Sequence, residues 1–340
     1  MARREVPRKP LELLVQGFPQ FRVLATALDW RLFSRLPKAG ATANEVATIY
    51  DVEERPARIF LNALAAMGLL EKRGARYRNA PLAARFLVEG RPEYYGDFVT
   101  MMDRRLYGAY RHLDRSLRSN APVTSVEARG DVFRAMAQDP SMARMFTMGM
   151  HATGAYWAGE LARSVDLSRH RLLLDVGGGS GVYSIALCRR FKRLRAVVFD
   201  VPVVLEVARE KIREADLESR IETTAGEFFR DPWPEGADVV LFSAVLHDWP
   251  PETSKALLRK AADVLPEGGE LVIRELFSDD EGPGPLYAAM SSVTMLLDTQ
   301  GENYSWATYE TWLRGAGFGR FRRIPFRTTA ASGALVARKL

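Results

Sequence analysis

A histidine and a glutamate, each placed where an apolar segment ends, are the residues best suited to chemistry. His247 stands in the stretch SAVLHDWPPE, which follows the apolar run ADVVLFS, and it is one of only four histidines in the chain. Glu275 ends a second apolar run, GELVIRE. A histidine is largely neutral at pH 7 and can accept a proton, and a carboxylate on its other ring nitrogen would stabilise the imidazolium that forms. We therefore predict that His247 is a general base and that Glu275 supports it.

The same histidine also has a purely structural interpretation. His247 precedes the segment DWPPE, where a helix is expected to begin, and Asp248 is a residue type that caps helices. Capping by Asp248 would leave the imidazole of His247 unused for structure. Both interpretations are therefore compatible, and the prediction of a base is kept.

A glycine-rich loop joins the first apolar run of the second half of the chain to a helical pattern. The stretch LLLDVGGGSGVYSIALCRR contains Asp175 and the glycines Gly177, Gly179 and Gly181. Glycines at a strand-to-helix turn let a ligand approach the backbone and the helix N-terminal amides. The spacing does not fit the dinucleotide fingerprint, because Val182 occupies the third glycine position, and no lysine follows as in a P-loop. The loop predicts another nucleoside cofactor.

Four further residues are candidates for binding that cofactor. Asp200 ends the run VVFD, where an acidic residue commonly accepts hydrogen bonds from ribose hydroxyls. Glu227 and Phe228, in AGEFF, are suited to the edge and the face of an adenine, or alternatively to a capped loop with a core aromatic. We include Ser243, the last residue of ADVVLFS, in the cofactor site.

Short apolar runs alternate with helical patterns from residue 166 onward. Strands are expected at 171–176, 195–200, 220–226, 237–243 and 269–275, helices at 181–192, 202–215 and 252–265, and a final strand pair at one edge. This alternation predicts an α/β fold with a parallel sheet covered on both faces. Because ligands bind at the carboxyl ends of such strands, His247 and Glu275 are expected on the cofactor side.

The first third of the chain predicts a winged helix-turn-helix. Thr42 can cap a short helix, and a second helix carries Ile59, Leu61, Leu64 and Leu69. The segments LLEKRG and ARYRNA are expected to form a hairpin wing. Such a domain can read DNA, but only Arg55 and Arg58 offer basic contacts on an otherwise apolar helix. The apolar pattern favours packing against another subunit.

Residues 93–165 form a second helical block that contains seven of the eleven methionines. Methionine fills irregular gaps and lines adaptable apolar pockets, although each single methionine is as well explained by core packing. The block could therefore wall a site for a flat organic substrate. Further candidates for facing this pocket are Phe133, Trp157, Tyr304 and Trp306.

Composition limits the remaining classes of function. A chain of 340 residues with 47% hydrophobic composition has room for two domains with real cores, and its net charge of +6 is spread along the chain, so nucleic-acid binding is not indicated. Cys188 is the single cysteine, and His112, His151 and His170 have no metal-ligand spacing, so no metal site is expected. Glu12 and Gln16 interrupt the apolar N-terminal segment, and no run reaches the length of a membrane helix. We expect a cytoplasmic protein with no membrane partner.

Five motifs in a fixed order carry a family resemblance: DVGGGSG, FDVP, AGEFF, LHDW and GAGF. The chain resembles the class I S-adenosylmethionine-dependent methyltransferases, and more narrowly the small-molecule O-methyltransferases with an N-terminal winged-helix dimerisation domain. The resemblance implies an α/β fold with a Rossmann-like seven-stranded sheet, S-adenosyl-L-methionine as cofactor, a homodimer, and methylation of a hydroxyl on an aromatic or polyketide-like molecule. It also implies His247 as base and Glu275 as support. The expected domains are 1–100 for dimerisation, 101–165 as a helical connection lining the substrate pocket, and 166–340 for cofactor binding and catalysis.

One segment departs from the family pattern. Where relatives carry a second supporting glutamate in a G-x-E-R-T-like motif, this chain has TQGENYSWATYE, so Glu302 or Asn303 would take that position. Such a departure leaves open C- or N-methylation, or non-methylating chemistry with the same cofactor. The winged helix separately allows a cofactor-sensing DNA-binding regulator. The catalytic residues are expected to be His247, Glu275 and Glu302. The substrate is expected to contact Met102, Met148, His151, Asp248, Met295 and Asn303.

Overall fold

The structure, a computed structural model, describes residues 7–124, 138–327 and 332–340. The pocket candidate Phe133 and the methionine Met136 lie outside these residues. The chain divides into two compact units, Met1–Arg104 and Arg105–Leu340. The described part of 105–165, which the sequence suggested as part of a separate connection, therefore belongs to the same unit as the sheet that follows it.

The first unit is helical with a small sheet. Strands β1–β3 pair in the order β1-β3-β2. The strands are β1 (Ala41–Thr42), β2 (Leu70–Arg73) and β3 (Arg76–Asn79), and the helices are α1 (Lys9–Asp29), α2 (Leu32–Arg35), α3 (Ala43–Tyr50), α4 (Glu54–Ala66), α5 (Pro81–Phe86) and α6 (Gly96–Met101).

Local sequence explains the elements of the wing. The Thr42 hydroxyl accepts a hydrogen bond from the backbone N–H of Glu45, so the predicted cap of α3 is confirmed. The Glu45 carboxylate also accepts one from the Thr42 N–H, which completes a capping box. The antiparallel hairpin of β2 and β3 turns at Gly74, which has a φ of +58°. Leu61 is fully buried on α4. Ile59 is 49% exposed and lies on the opposite side of the helix, and Leu69 follows the end of α4 instead of belonging to it.

The second unit contains a seven-stranded sheet in the order β6-β5-β4-β7-β8-β10-β9. The five strands β4 to β8 are parallel to one another, and β10 is antiparallel to both β8 and β9. The predicted doubly wound α/β fold with a final strand pair at one edge is confirmed. The strands are β4 (Leu172–Val176), β5 (Arg195–Asp200), β6 (Ile221–Ala225), β7 (Val239–Ser243), β8 (Glu270–Leu276), β9 (Phe318–Pro325) and β10 (Ser332–Lys339).

Helices cover both faces of this sheet. Apolar side chains of α8, α9 and α10 pack in one core with Leu241 and Val272, and those of α11 and α13 pack in the other with Val240 and Ile273. Because strand residues alternate between faces, Arg274 lies on the face of α8 and α9 while Glu275 lies on the opposite face. The helices are α7 (Leu113–Ser119), α8 (Pro140–Ser164), α9 (Val182–Arg190), α10 (Pro202–Glu214), α11 (Pro251–Val264), α12 (Leu286–Asp298) and α13 (Trp306–Gly315).

Short turns of other helix types complete the described chain. A π-helical turn spans Met102–Tyr107, and 3-10 turns span Ala109–His112 and Leu246–Asp248. None of the helices in the described ranges combines the length and the apolar character that a membrane span requires.

Candidate active site

A sharp turn after β7 places His247 at the carboxyl end of the sheet. Ala244 has a φ of +56°, and its N–H donates to the carbonyl oxygen of Arg274 on β8 at 3.0 Å. A left-handed alanine costs free energy, and such conformations cluster at functional sites. The chain then enters the 3-10 turn Leu246–Asp248, in which His247 is buried. The turn thus holds the imidazole beside β8.

Glu275 binds both the imidazole and the backbone of that turn. Its Oε2 lies 2.5 Å from Nδ1 of His247, and its Oε1 accepts hydrogen bonds from the N–H groups of Val245 and Leu246, each at 3.1 Å. The side chain is fully buried. The structure therefore brings together the two residues that the sequence paired, and the contact assigns the proton on Nδ1 and leaves Nε2 for another partner.

Asp248 is a second carboxylate at the same histidine. Its Oδ1 lies 3.6 Å from Nε2 of His247, and the residue is buried. Helix α11 has Pro250 as its N-cap residue, with no side-chain capping hydrogen bond, so the interpretation of Asp248 as a cap is wrong. Two consecutive prolines, Pro250 and Pro251, fix the entry to the helix instead.

The two carboxylates set the protonation of His247. Burial lowers the pKa of this imidazole, but the negative charges of Glu275 and Asp248 outweigh burial and raise it to about 9. Burial raises the pKa of the Asp248 carboxyl to about 7, against the lowering effect of the imidazolium. In the ligand-free protein at pH 7, His247 is therefore largely protonated.

Glu302 does not reach His247. The side chain of Glu302 is exposed, and none of the hydrogen bonds among the described residues joins it to the histidine. Asn303 is buried: its N–H donates to Ser292 Oγ at 3.0 Å and its Nδ2 to the Ala288 carbonyl at 3.3 Å, while its Oδ1 has no hydrogen-bond partner. Of the two residues that competed for the position of second support, the structure buries Asn303.

Gly301 packs directly on the histidine turn. A Cβ at this position would lie 2.1 Å from the carbonyl oxygen of His247 and 2.5 Å from the backbone nitrogen of Trp249. The Tyr304 hydroxyl donates to the Trp249 carbonyl at 2.7 Å. The segment QGENYS, which departed from the family pattern, therefore supports the backbone of the turn rather than its imidazole.

The glycine loop adopts the conformation that its sequence requires. Gly177, Gly179 and Gly181 have φ values of +66°, +59° and +72°. Gly179 N–H donates to Asp200 Oδ2 at 2.8 Å, and Val201 N–H donates to Oδ1 at 2.7 Å. Burial raises the pKa of Asp200 to about 6. The acidic residue that ends β5 thus lies against the loop, where a ribose is expected.

The AGEFF segment shows features of both earlier interpretations. A Cβ at Gly177 would lie 3.5 Å from the Phe228 ring, so this aromatic is next to the glycine loop. The backbone N–H of Glu227 donates to Asp231 Oδ2 at 2.7 Å, and the Glu227 carboxylate lies 3.3 Å from Arg230. The segment is a capped loop, and the Phe228 ring borders the glycine loop.

Asp175 and Ser243 stand at the ends of β4 and β7. Asp175 Oδ2 accepts a hydrogen bond from Ser184 at 2.7 Å, while Oδ1 is buried without a hydrogen-bond partner. Burial raises the pKa of Asp175 to about 7. The Ser243 hydroxyl is buried at the neighbouring strand end. Both residues lie at the sheet edge that carries the glycine loop.

The predicted substrate residues lie in different surroundings. His151 Nδ1 lies 2.9 Å from Ser180 Oγ in the glycine loop, and burial, with a contribution from Lys211, lowers its pKa to about 4. His151 is therefore near the cofactor loop and neutral at pH 7. Met148 on α8 and Met295 on α12 are half-buried, and Met102 belongs to the first unit.

Two of the aromatic pocket candidates are packed into the protein. Tyr304 is 6% exposed and forms part of the core on the α11 and α13 face. Trp306 stacks on Phe277 with ring centroids 3.5 Å apart. These contacts explain both residues by packing. Trp157 lies under the guanidinium of Arg274, 5.3 Å from its ring centroid.

A buried ion pair and a buried arginine near the site were missed from the sequence. Arg105 and Asp298 form an ion pair at 2.5 Å, and Thr124 Oγ1 donates to the same carboxylate oxygen at 2.6 Å. Asp298 raises and Arg105 lowers the pKa of Asp248, so the pair lies close to the histidine site. Arg274 is the buried arginine. A charged residue inside the apolar run ELVIREL was a visible signal for it.

The arrangement can move a proton and hold a nucleoside. The histidine between two carboxylates is a group that can hold or release a proton, and the glycine loop with Asp200 and Phe228 has the chemistry that suits an adenosine. Within the described ranges, no three His, Cys, Asp or Glu side chains are grouped as metal ligands would be.

Comparison with known proteins identifies the family. Residues 110–319 match the O-methyltransferase domain, and residues 13–89 match the O-methyltransferase dimerisation domain. The chain is 39% identical over 326 residues to a 3-hydroxy-5-methyl-1-naphthoate 3-O-methyltransferase of Streptomyces sahachiroi, covering 96% of this chain and 94% of the relative. It is 34% identical to an L-tyrosine C(3)-methyltransferase of Streptomyces lavendulae, covering 97% and 92%.

A solved structure agrees with this result. The crystal structure of human N-acetylserotonin methyltransferase in complex with S-adenosylmethionine superposes with a TM-score of 0.90 at 26% identity, covering 100% of this chain and 99% of that one. The sheet order, the glycine loop and the domain match agree with one another. The chain belongs to the class I S-adenosylmethionine-dependent O-methyltransferase family.

Proposed function

We propose that this enzyme methylates a hydroxyl of an aromatic or polyketide-like small molecule and that His247 is the general base. The observation that carries the proposal is the contact between His247 Nδ1 and Glu275 Oε2. This contact directs Nε2 toward a partner other than Glu275. The naphthoate O-methyltransferase similar over 96% of this chain supports an aromatic hydroxyl as the acceptor group.

Removal of the substrate's proton is the step for which the residues of this chain are suited. A phenol with a pKa near 10 is almost fully protonated at pH 7, and removing its proton raises its nucleophilicity, as displacement at a methyl group requires. Nε2 of His247 accepts the proton, and the buried Glu275 carboxylate stabilises the imidazolium. When bound, S-adenosylmethionine supplies the electrophilic methyl group and a positive charge.

The high pKa of His247 fits this role only with the cofactor present. With a pKa of about 9, the imidazole of the ligand-free enzyme holds a proton at pH 7 and cannot accept another. A positive charge nearby disfavours the imidazolium and lowers this pKa. We therefore propose that the base becomes competent as the cofactor site fills.

The residues around the glycine loop fit the nucleoside part of the cofactor. Asp200 would accept hydrogen bonds from the ribose hydroxyls, because its oxygens have lone pairs beyond those used by Gly179 and Val201. Phe228 would contact the adenine face, since its ring borders Gly177. The backbone amides at the start of α9 remain available to polar groups.

Replacement of the base tests the proposal. The variant His247→Gln is expected to lose methyl transfer to a hydroxynaphthoate or a related phenol by at least about a hundredfold in kcat. Its affinity for S-adenosylhomocysteine, measured by calorimetry, should stay within a few-fold of the parent. Turnover by the variant equal to that of the parent would refute the assignment of His247.

C-methylation at a ring position next to a phenol is a second candidate. The relative that is named an L-tyrosine C(3)-methyltransferase supports it, and a phenolate would activate the ring carbon as well as the oxygen. The carbon chemical shift of the transferred methyl group separates the two, because an O-methyl and an aryl C-methyl differ by about 30 to 40 ppm. An aryl C-methyl signal would show that the enzyme methylates a ring carbon and not the hydroxyl.

We also propose a homodimer formed through the first unit. The match of residues 13–89 to the dimerisation domain supports this assembly. The first turns of α1 expose Leu11, Leu14 and Phe18, which a partner subunit would cover. Sedimentation at micromolar concentration is expected to give twice the mass of one chain, and a monomer would contradict the proposal.

A further inference from the structure

Arg274 is a buried cation within a strand that is otherwise mostly apolar. It occupies β8 next to Glu275, is 5% exposed, and is in register with Ser243 on β7. A guanidinium stays charged at every accessible pH. Burying such a charge costs several kcal/mol unless an anion or a full set of hydrogen bonds compensates for it. Arg274 therefore requires compensation from its surroundings.

The contacts of Arg274 leave its charge without an anion. One terminal nitrogen donates to Ser332 Oγ at 2.9 Å, while Nε is buried with no hydrogen-bond partner. The guanidinium lies over the rings of Trp157 and Tyr183, at 5.3 and 5.6 Å from their centroids. Across the described ranges, no carboxylate comes within ion-pair distance of Arg274. The aromatic rings compensate for the charge only in part.

Arg274 lies near the carboxyl ends of the strands, at the edge of the sheet that carries the glycine loop. Tyr183 follows Gly181 by two residues in the first turn of α9, and the charge of Arg274 lowers the pKa of its phenol against the larger raising effect of burial. Asp175, the last residue but one of β4, lies on the same face of the sheet, and its Oδ1 is also buried without a hydrogen-bond partner. One cation and one carboxyl group, each with an unused polar atom, thus occupy the strand ends that border the glycine loop.

We infer that Arg274 binds the α-carboxylate of the amino-acid part of S-adenosylmethionine, with Asp175 facing its α-ammonium group. The cofactor carries this pair of opposite charges at one end, and a guanidinium is well suited to a carboxylate in both geometry and charge. The inference rests on the identity of the cofactor and not on the role of His247. Its test measures binding alone, so its failure can be distinguished from failure of the proposed base.

Three ligands separate the parts of the cofactor. S-adenosylhomocysteine has both charged groups, its decarboxylated analogue keeps only the amine, and 5′-methylthioadenosine has neither. Calorimetry with the unaltered enzyme is expected to show at least tenfold weaker binding of the decarboxylated analogue than of S-adenosylhomocysteine. Equal affinity for these two ligands would overturn the inference without any variant.

Replacement of the cation then assigns the effect to Arg274. Arg274→Met is expected to weaken the binding of S-adenosylhomocysteine at least tenfold. The affinities for the decarboxylated analogue and for methylthioadenosine should stay within threefold of those of the parent. Arg274→Lys, which keeps the charge, should recover part of the loss. Arg169→Met is the matched control, because Arg169 pairs with Glu270 at the other end of β8. It should leave all three affinities unchanged.

Two results would contradict the assignment. An equal loss for all three ligands in Arg274→Met would mean that Arg274 maintains the fold of the site rather than binding the carboxylate. Unchanged binding of S-adenosylhomocysteine would mean that the carboxylate is held elsewhere. If Arg274→Met does not fold, the same comparison is made with Arg274→Lys. This variant should weaken the binding of S-adenosylhomocysteine more than the binding of methylthioadenosine.

Discussion

Glu275 holds His247 by its ring and by its backbone turn at once. One carboxylate oxygen lies 2.5 Å from Nδ1 of the imidazole, and the other accepts the N–H groups of Val245 and Leu246 at 3.1 Å. All these partners are donors, so the position requires a group that only accepts. A glutamine of the same shape brings a donating amide into a set of donors.

Glu275→Gln is therefore expected to impair catalysis more than folding. Because the amide neither carries charge nor satisfies all three donors, kcat should fall by about a hundredfold or more, by analogy with other orienting carboxylates. The pKa of His247 should also fall, since Glu275 raises it. Glu270→Gln, at the start of the same strand, is the control. A kcat within fivefold of the parent would contradict this role of Glu275.

The protonation of His247 is expected to respond to the charge of the bound ligand. In the ligand-free enzyme its pKa is raised to about 9, so the imidazolium form dominates below that pH and is lost above it. Sinefungin, which carries a positive charge near the position of the sulfonium, should lower the pKa, whereas the uncharged thioether of S-adenosylhomocysteine should change it less. NMR titration of the imidazole signals measures all three states. An equal pKa with both ligands would contradict the proposed coupling.

Removal of the second carboxylate is expected to shift the pH dependence of methyl transfer to lower pH. Asp248 raises the pKa of His247, so Asp248→Asn should lower that pKa and increase the fraction of neutral imidazole at pH 7. In a profile of kcat against pH, the ascending limb should move to lower pH. Asp263→Asn, on the exposed side of α11, is the control. An unchanged limb would show that Asp248 does not govern the base.

Much of this site could be predicted because its parts follow local rules. The glycine loop, the acidic residue after β5 and the polar residues after β7 and β8 are each encoded by short stretches, and a parallel sheet gathers its strand ends at one edge. The pair His247 and Glu275 followed from that rule alone. The capping box of Thr42 and Glu45 was partly visible for the same reason.

The parts that were missed depend on contacts distant in sequence. Asp298 pairs with a residue 193 positions away, and Arg274 with Ser332, 58 positions away. Spacing within one segment contains no information about such partners. Glu302 was favoured by its position in a motif, but the backbone directs Gly301 and Asn303 inward, which leaves the glutamate in solvent.

Gly301 is expected to tolerate no side chain. A methyl group there would lie 2.1 Å from the His247 carbonyl oxygen, and both atoms belong to backbone or are fixed to it, so the histidine turn must shift. Gly301→Ala should lower kcat by at least about tenfold and destabilise the protein by about 1–3 kcal/mol, as overpacking does. Gly315→Ala, at the end of α13, meets no atom within 4 Å and serves as the control. An active, stable Gly301→Ala would contradict the contact.

The ion pair of Arg105 and Asp298 is expected to be strongly coupled, because both side chains are nearly inaccessible, at 7% and 6% exposure. Removing one partner leaves a buried charge, so Arg105→Met or Asp298→Asn should each lower the free energy of unfolding by about 3–5 kcal/mol. In the double variant the free energy of unfolding should fall by clearly less than the sum of the two single decreases, since no unpaired charge remains. Urea unfolding of the parent, the two single variants and the double variant measures the coupling energy. The exposed pair of Lys255 and Glu252 is the control, for which a coupling energy near zero is expected. Additive losses at Arg105 and Asp298 would mean that each residue stabilises the wall of the site independently, against the geometry of their contact.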